Sequence, residues 1–222
     1  MDKSADDSPH SGGSRSYRSP ARAAHAAATR RKITAAAGEL FASHGFTGTT
    51  VAAIAGRAGV TAQTVYATFG SKGAIVGALL AQFEASADAD AWAAAIVAED
   101  DPSRKLAAFA HWTTALFASS KAVITGVQGA AGDPAMVELR RQGDRHRRAA
   151  LTSLVGELAG TAALNPDVSE RHCIDRAWLL TGVETYLGAT DGCGWSDAEY
   201  SRWLCHLLQT QLLASPPPAR QA

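Results

Sequence analysis

Residues 49–72 read TTVAAIAGRAGVTAQTVYATFGSK, and this stretch decides the fold. Two short helical runs are separated here by Ala58-Gly59-Val60. On the first run Val51, Ile54, Ala55 and Ala58 fall at helical spacing and form an inner stripe. Ala55, Gly59 and Val65 stand at i, i+4 and i+10. A methyl side chain at Ala55 lets a second helix cross closely over the first, and Gly59 can take the left-handed conformation of a tight turn. Val65 then fixes the second helix against a core. The pattern is that of a helix-turn-helix, a motif that lays its second helix in the DNA major groove.

The flanks extend it. Thr29 to Gly45 reads as a helix with Ile33, Ala37, Leu40 and Phe41 on one face and Gly45 as its stop. Thr49 or Thr50 caps the next helix, Thr61 the one after, and Ser71 a fourth that starts at Lys72. From Thr29 to Leu80 this order of helices and connections resembles the TetR (tetracycline-repressor-like) family of bacterial transcriptional regulators. Two positions depart from that pattern. Gly73 and Ala74 give the fourth helix a weak first turn, and Gly38 interrupts the first helix at a cost of about 1 kcal/mol relative to Ala.

The charge distribution agrees. The 21 basic and 21 acidic residues cancel, yet from Arg15 to Leu80 eight basic residues face Glu39 alone, while the chain from Ala81 onward is net acidic. Such asymmetry points to nucleic acid at the basic end, with an ordinary solvated face as the alternative. No apolar run reaches the length of a membrane span, and three cysteines (Cys173, Cys193, Cys205) suit a reducing cytoplasm. The expected organisation is all-α. Residues 1–22 form a disordered tail, 23–71 a helix-turn-helix DNA-binding domain, 72–214 a helical ligand-binding and dimerisation domain, and 215–222 a second loose tail.

Within the DNA-binding part, Ala62, Gln63 and Thr64 are the exposed early positions of the recognition helix. Gln63 can pair bidentately with adenine, Thr64 with either base type, and Ala62 with a thymine methyl. Tyr66, Thr49, Thr50 and Lys72 are placed for phosphate, Lys72 at a helix N-terminus. Arg15, Arg18 and Arg22 offer either a minor-groove arm or a solvated tail. Phe46, Val65 and Phe69 read as core.

The C-terminal part reads as helix nearly throughout. Asp101-Pro102 and Asp133-Pro134 open helices, the second running to about Gly160. Asp167 with Glu170 and Ser196 with Glu199 are candidate capping boxes. The apolar stripe of Leu180 and Leu187, with that of Tyr200, Trp203, Leu204, Leu207 and Leu208, is expected to pair with a second copy; closure of the chain's own core is the alternative. The resemblance implies that these helices enclose a small-molecule effector whose binding releases DNA. Phe109, Trp112, Phe117, Gln128, Trp178 and Glu184 are the candidate lining residues. Arg140, Arg141, Arg145, Arg147 and Arg148 read as a solvated face or salt network. No cofactor is implied. His172-Cys173 and Cys205-His206 are adjacent pairs that diverge by about 100° on a helix and cannot share a metal. Nothing resembles a nucleophile motif or a phosphate loop, so an enzyme is not expected. The competing class is a helical small-molecule or cysteine redox sensor with a vestigial DNA module, which would need an exposed thiol of low pKa.

Overall fold

The computed structural model describes residues 20–86, 89–130 and 132–214. Both expected tails lie mostly outside this range, Arg15 and Arg18 with them. The first helix, α1, begins at Pro20, so residues 20–22 are helical and not part of a loose tail. It is assigned as Pro20–Gly48, but Gly45 at φ 70° breaks it where the sequence predicts a stop. Then follow α2 (Val51–Ala58), α3 (Ala62–Phe69), α4 (Lys72–Ser86), α5 (Ala89–Ala98) and α6 (Pro102–Val127). A short 3₁₀ turn, Gln128–Ala130, leads to α7 (Pro134–Gly160), α8 (Glu170–Leu180) and α9 (Val183–Leu187). A π turn at Gly188–Gly192 precedes α10 (Asp197–Leu212). Among the described residues the extended structure is one isolated bridge, Leu164 to Leu213, which pins the end of α10 to the α7–α8 connection.

Local caps follow the sequence closely. Asp101 and Asp133 accept backbone N–H bonds at the starts of α6 and α7, each followed by Pro at the first helical position. Ser196 and Glu199 form the reciprocal capping box of α10. One cap moves: Ser169, not Asp167, accepts from the His172 N–H at the start of α8. One helix is also shorter than its apolar run suggests. Buried Thr181 donates its hydroxyl to the Ala177 carbonyl (2.7 Å) and closes α8, and Gly182 turns extended before α9.

The apolar side chains form two cores. Ile33, Ala37, Phe41, Phe46, Ile54, Ala55 and Val65 join Ile75, Val76 and Leu79 of α4 in the first. The fourth helix is thus packed into the DNA-binding unit, which extends past the expected boundary at 71. The second core gathers α6, α7, α8, α9 and α10 around Leu106, Leu151, Val155, Leu158, Tyr186, Tyr200, Leu204 and Leu208.

Close approach at two glycines joins the two. A Cβ on Gly126 of α6 would stand 2.2 Å from the Phe41 carbonyl oxygen of α1. On Gly73 of α4 it would stand 2.5 Å from the Ala135 Cβ of α7. Gly73 is therefore a packing requirement, and the weak first turn of α4 is its cost. Gly38 is a milder case: a Cβ there would stand 3.3 Å from the Leu79 side chain of α4.

Gly126→Ala should destabilise the chain by about 1–3 kcal/mol or more, because the obstructing atoms are main chain. Gly156→Ala, on the exposed face of α7 with nothing within 4 Å, should stabilise it by about 0.5–1 kcal/mol. Chemical denaturation of both variants checks the opposite signs.

Candidate nucleic-acid interface

The recognition element is built from short-range rules. Thr50 caps α2, its hydroxyl oxygen accepting from the Ala53 N–H (3.1 Å). Gly59 closes α2 in the left-handed region at φ 67°, a conformation that costs a side-chain-bearing residue but not glycine. Thr61 then caps α3, accepting from the Thr64 N–H (3.1 Å). Val65 is the fully buried residue of α3 and anchors it. Phe69 seats its C-terminal end, with the Arg30 guanidinium 4.3 Å above the ring and Nη1 donating to the Thr68 carbonyl (3.4 Å).

This anchoring leaves one face of α3 open. Gln63, Tyr66 and Ala67 are exposed, Tyr66 at 54%. Ala67 adds to the residues expected from the sequence, where its i+4 relation to Gln63 is the signal that marks it. Ala62 and Thr64 are only half-exposed. Ala62 packs on the first core, and the Thr64 hydroxyl lies 2.9 Å from that of Thr61. The exposed face of α3 is therefore shifted along the helix, toward Gln63, Tyr66 and Ala67.

Two expected phosphate ligands are engaged inside the domain. Thr49 is buried at 2% exposure, and its hydroxyl donates toward the Gly45 (2.8 Å) and Leu40 (3.1 Å) carbonyls. Its side chain cannot also meet phosphate; it satisfies the carbonyls orphaned at the end of α1. Lys72 donates to the Phe46 (2.7 Å) and Thr49 (2.8 Å) carbonyls and sits 4.0 Å over the Phe46 ring. Two of its three protons tie the α1–α2 connection to the start of α4, leaving one for an outside ligand. Thr50 remains exposed and keeps a free hydroxyl proton. Glu39, the one acid in this basic stretch, is neutralised by Arg57.

In the C-terminal unit the expected lining residues do not converge. Phe109 and Trp112 lie 6.0 Å apart along α6, while Phe117 packs on Tyr186 (5.4 Å) and Tyr186 on Tyr200 (5.2 Å). Tyr186 donates to Asp197 (2.7 Å), and burial with this acidic partner pushes its pKa well up. Trp178 is covered instead by Arg147, whose guanidinium stands 3.5 Å above the ring and bonds the Trp178 carbonyl. Gln128 is exposed at the junction of the two units, and Glu184 is exposed on α9. Those two belong to the surface, not to an apolar chamber. Two open clefts lie elsewhere. One, about 390 Å³, runs between α6 and α10 beside Arg202, Cys205 and His206. The other, about 340 Å³, lies beside Phe46, Lys72 and Asp133.

The expected interface residues also divide. Tyr200, Leu204 and Leu208 are 0% exposed and Leu187 9%, so they close the chain's own core. Their stripe is consumed by α6 and α8. Leu180, Trp203 and Leu207 are half-buried, and Leu179, which no sequence pattern singles out, is 70% exposed on α8. The arginine row of α7 is a salt network: Arg145 pairs with Glu138 and Arg148 with Asp175. Burial raises the thiol pKa of Cys173 and Cys205, which disfavours their thiolates, while Cys193 is exposed. Among the described residues no single helix is long and apolar enough to cross a membrane.

A compact helical unit presenting one free helix face after a capped glycine turn defines a helix-turn-helix. Residues 33–79 match the family described as bacterial regulatory proteins, tetR family. The likeness in fold runs through both units. The regulator FadR of Bacillus subtilis, solved in complex with stearoyl-CoA, superposes with a TM-score of 0.68 at 17% identity, covering 81% of this chain and 97% of that one. NalD of Pseudomonas aeruginosa, the secondary repressor of the MexAB-OprM multidrug efflux pump, gives 0.65 at 20% identity over 85% and 98%. The fatty acid degradation regulator FadR of Bacillus halodurans gives 0.64 at 18% identity over 81% and 94%. No curated protein matches the chain in sequence.

Lys72→Ala should lower the unfolding free energy by about 2 kcal/mol without any DNA present, because two charge-assisted bonds and the stacking on the Phe46 ring disappear together. Denaturant titration of the free protein checks this, since a side chain reserved for phosphate would leave stability unchanged.

Proposed function

We propose that the protein is a homodimeric repressor that reads a palindromic operator with α3 and lets go of it when a small molecule binds the C-terminal unit. The observation that carries the DNA half is the face of α3: Gln63, Tyr66 and Ala67 exposed on a helix whose other side is locked by Val65, Phe69 and Arg30. Gln63 reads adenine, and the Ala67 methyl suits a thymine methyl. Tyr66, Thr50 and the spare proton of Lys72 bind phosphate, which fixes register without reading sequence.

Two symmetry-related recognition helices need a two-fold partner. The remaining apolar surface of α8 and α10, around Leu179, Leu180, Trp203 and Leu207, is the face we assign to it. Support for an effector comes from α6. Trp112 Nε1 and the Thr113 hydroxyl are buried without a hydrogen-bond partner among the described residues, and such groups cost about 1–3 kcal/mol each when left unmet. They lie beside Phe109 and offer polar anchors within an apolar wall. An apolar molecule with an acceptor group fits that environment, and the stearoyl-CoA complex of the Bacillus subtilis relative is in keeping with it. Ligand and DNA must then oppose each other by equal factors.

Gln63→Ala should cost about 1–3 kcal/mol on the selected operator and little on mixed-sequence DNA. Operator fragments recovered from the immobilised protein, followed by titration of both DNAs, decide this; equal weakening on both would remove Gln63 from base reading.

Leu179→Glu should give a monomer of undiminished helicity with sharply reduced operator affinity, because two half-sites are no longer engaged as one unit. Leu208→Ala should instead cost about 2–5 kcal/mol of folding free energy. Sedimentation velocity and circular dichroism separate the two outcomes.

A further inference from the structure

We propose that the N-terminal overhang of α1 is a second duplex-DNA contact, in which Arg22 binds a backbone phosphate beyond the stretch read by α3. This rests on the operator-binding proposal above. The tetR-family match starts at residue 33, and the first core likewise starts at Ile33. Yet α1 begins at Pro20, and every residue from Ala21 to Ala27 is exposed. Burial gives no reason for this segment to be helical. Its composition does, since Ala21, Ala23, Ala24, Ala26, Ala27 and Ala28 carry the highest helix propensity and extend a helix already nucleated by the core.

What the overhang presents is positive charge. Arg22 is its charged side chain; Arg30, held on Phe69 and Thr68, and Arg31 and Lys32 follow before the first acid of α1, Glu39, whose carboxylate is held by Arg57. Arg22 is exposed and has no acidic partner among the described residues. Its position relative to the recognition helix is set by Arg30, which marks where α1 passes the last turn of α3 by bonding the Thr68 carbonyl. Eight residues upstream, Arg22 lies about 12 Å along the helix axis and about 80° around it. A duplex carries one phosphate charge per roughly 1.7 Å of its axis, so an arm of that length passes several phosphates. Duplex DNA is the occupant whose charge complements it; the acidic surface of another copy is the rival.

Binding to mixed-sequence duplexes at several salt concentrations tests this, with Arg22→Ala, Arg22→Lys and, as a control on the far unit, Arg104→Ala. Arg22→Ala should lower the log–log salt slope by about 0.9 for each phosphate that is no longer neutralised, twice that per dimer, and weaken binding several-fold. Arg22→Lys should restore the slope, and Arg104→Ala should match the parent. On the selected operator the effect should vanish when the duplex is trimmed to the half-sites. A parent that binds DNA with a slope unmoved by Arg22→Ala, or an equal weakening on trimmed and long duplexes, overturns the overhang contact alone. A parent that binds no duplex overturns the operator-binding proposal with it. Arg22→Ala shifting self-association instead of the salt slope assigns the arm to a second copy and also overturns the DNA contact.

Discussion

The two halves of this molecule meet where helices approach through glycine. Gly126 of α6 lies so close under the Phe41 carbonyl of α1 that no side chain fits between them, and a Cβ on Gly73 of α4 would overlap the Ala135 methyl of α7. Side-chain contacts can slide by rotamer changes, whereas main chain in a packed core cannot yield by more than a few tenths of an ångström without cost. The orientation of the DNA-binding unit is therefore set by the C-terminal helices through two hard points, one on α1 and one on α4. Gly77 against Leu139, at 3.2 Å, adds a softer third along the same α4–α7 seam. Gly126 and Gly73 thereby couple α6 to α1 and α7 to α4, the helices against which α3 is held.

That coupling matters because α3 itself is lightly held. Val65 is the residue of α3 that is fully buried, and the rest of its hold comes from the Thr61 cap, the Phe69 ring under Arg30, and the connection to α4. Eight residues cannot sustain a helix alone, so the element depends on its neighbours for shape as well as position. Lys72 and Thr49 serve this end: both direct their donors to carbonyls around the end of α1. Thr49, and Lys72 with two of its donors, thus build the platform from which Gln63, Tyr66 and Ala67 project.

The C-terminal unit shows the same division between support and surface. The Phe117, Tyr186 and Tyr200 rings pack in series through the second core, tilted and then edge to face, with Tyr186 bonded to Asp197. Aromatic content that suggests a chamber is largely used as packing. The unmatched polar atoms of Trp112 and Thr113 are the exception in that interior, and polar groups inside an apolar wall are what orient a bound molecule.

The amino-acid sequence alone determined the all-α class, the helix-turn-helix, and most helix starts and stops. These rest on interactions within three or four residues: Gly59 in the left-handed region, Thr61, Asp101, Asp133 and the Ser196–Glu199 box at helix N-termini. A cap hydrogen bond closes within one turn, so its partners are adjacent in the chain and legible there. Tertiary structure alone decided which neighbour covers each apolar face. Leu208 and Tyr200 lie on a stripe equally suited to a partner chain, and only the placement of α6 and α8 turned it inward, leaving Leu179 outside. Thr49 had the chemistry of a cap or of a ligand until the end of α1 supplied its carbonyls, and Gly73 reads as a defect of α4 until Ala135 stands against it. Helical periodicity marks a face as apolar, but what fills that face comes from residues far along the chain, and their approach is fixed only when the helices pack.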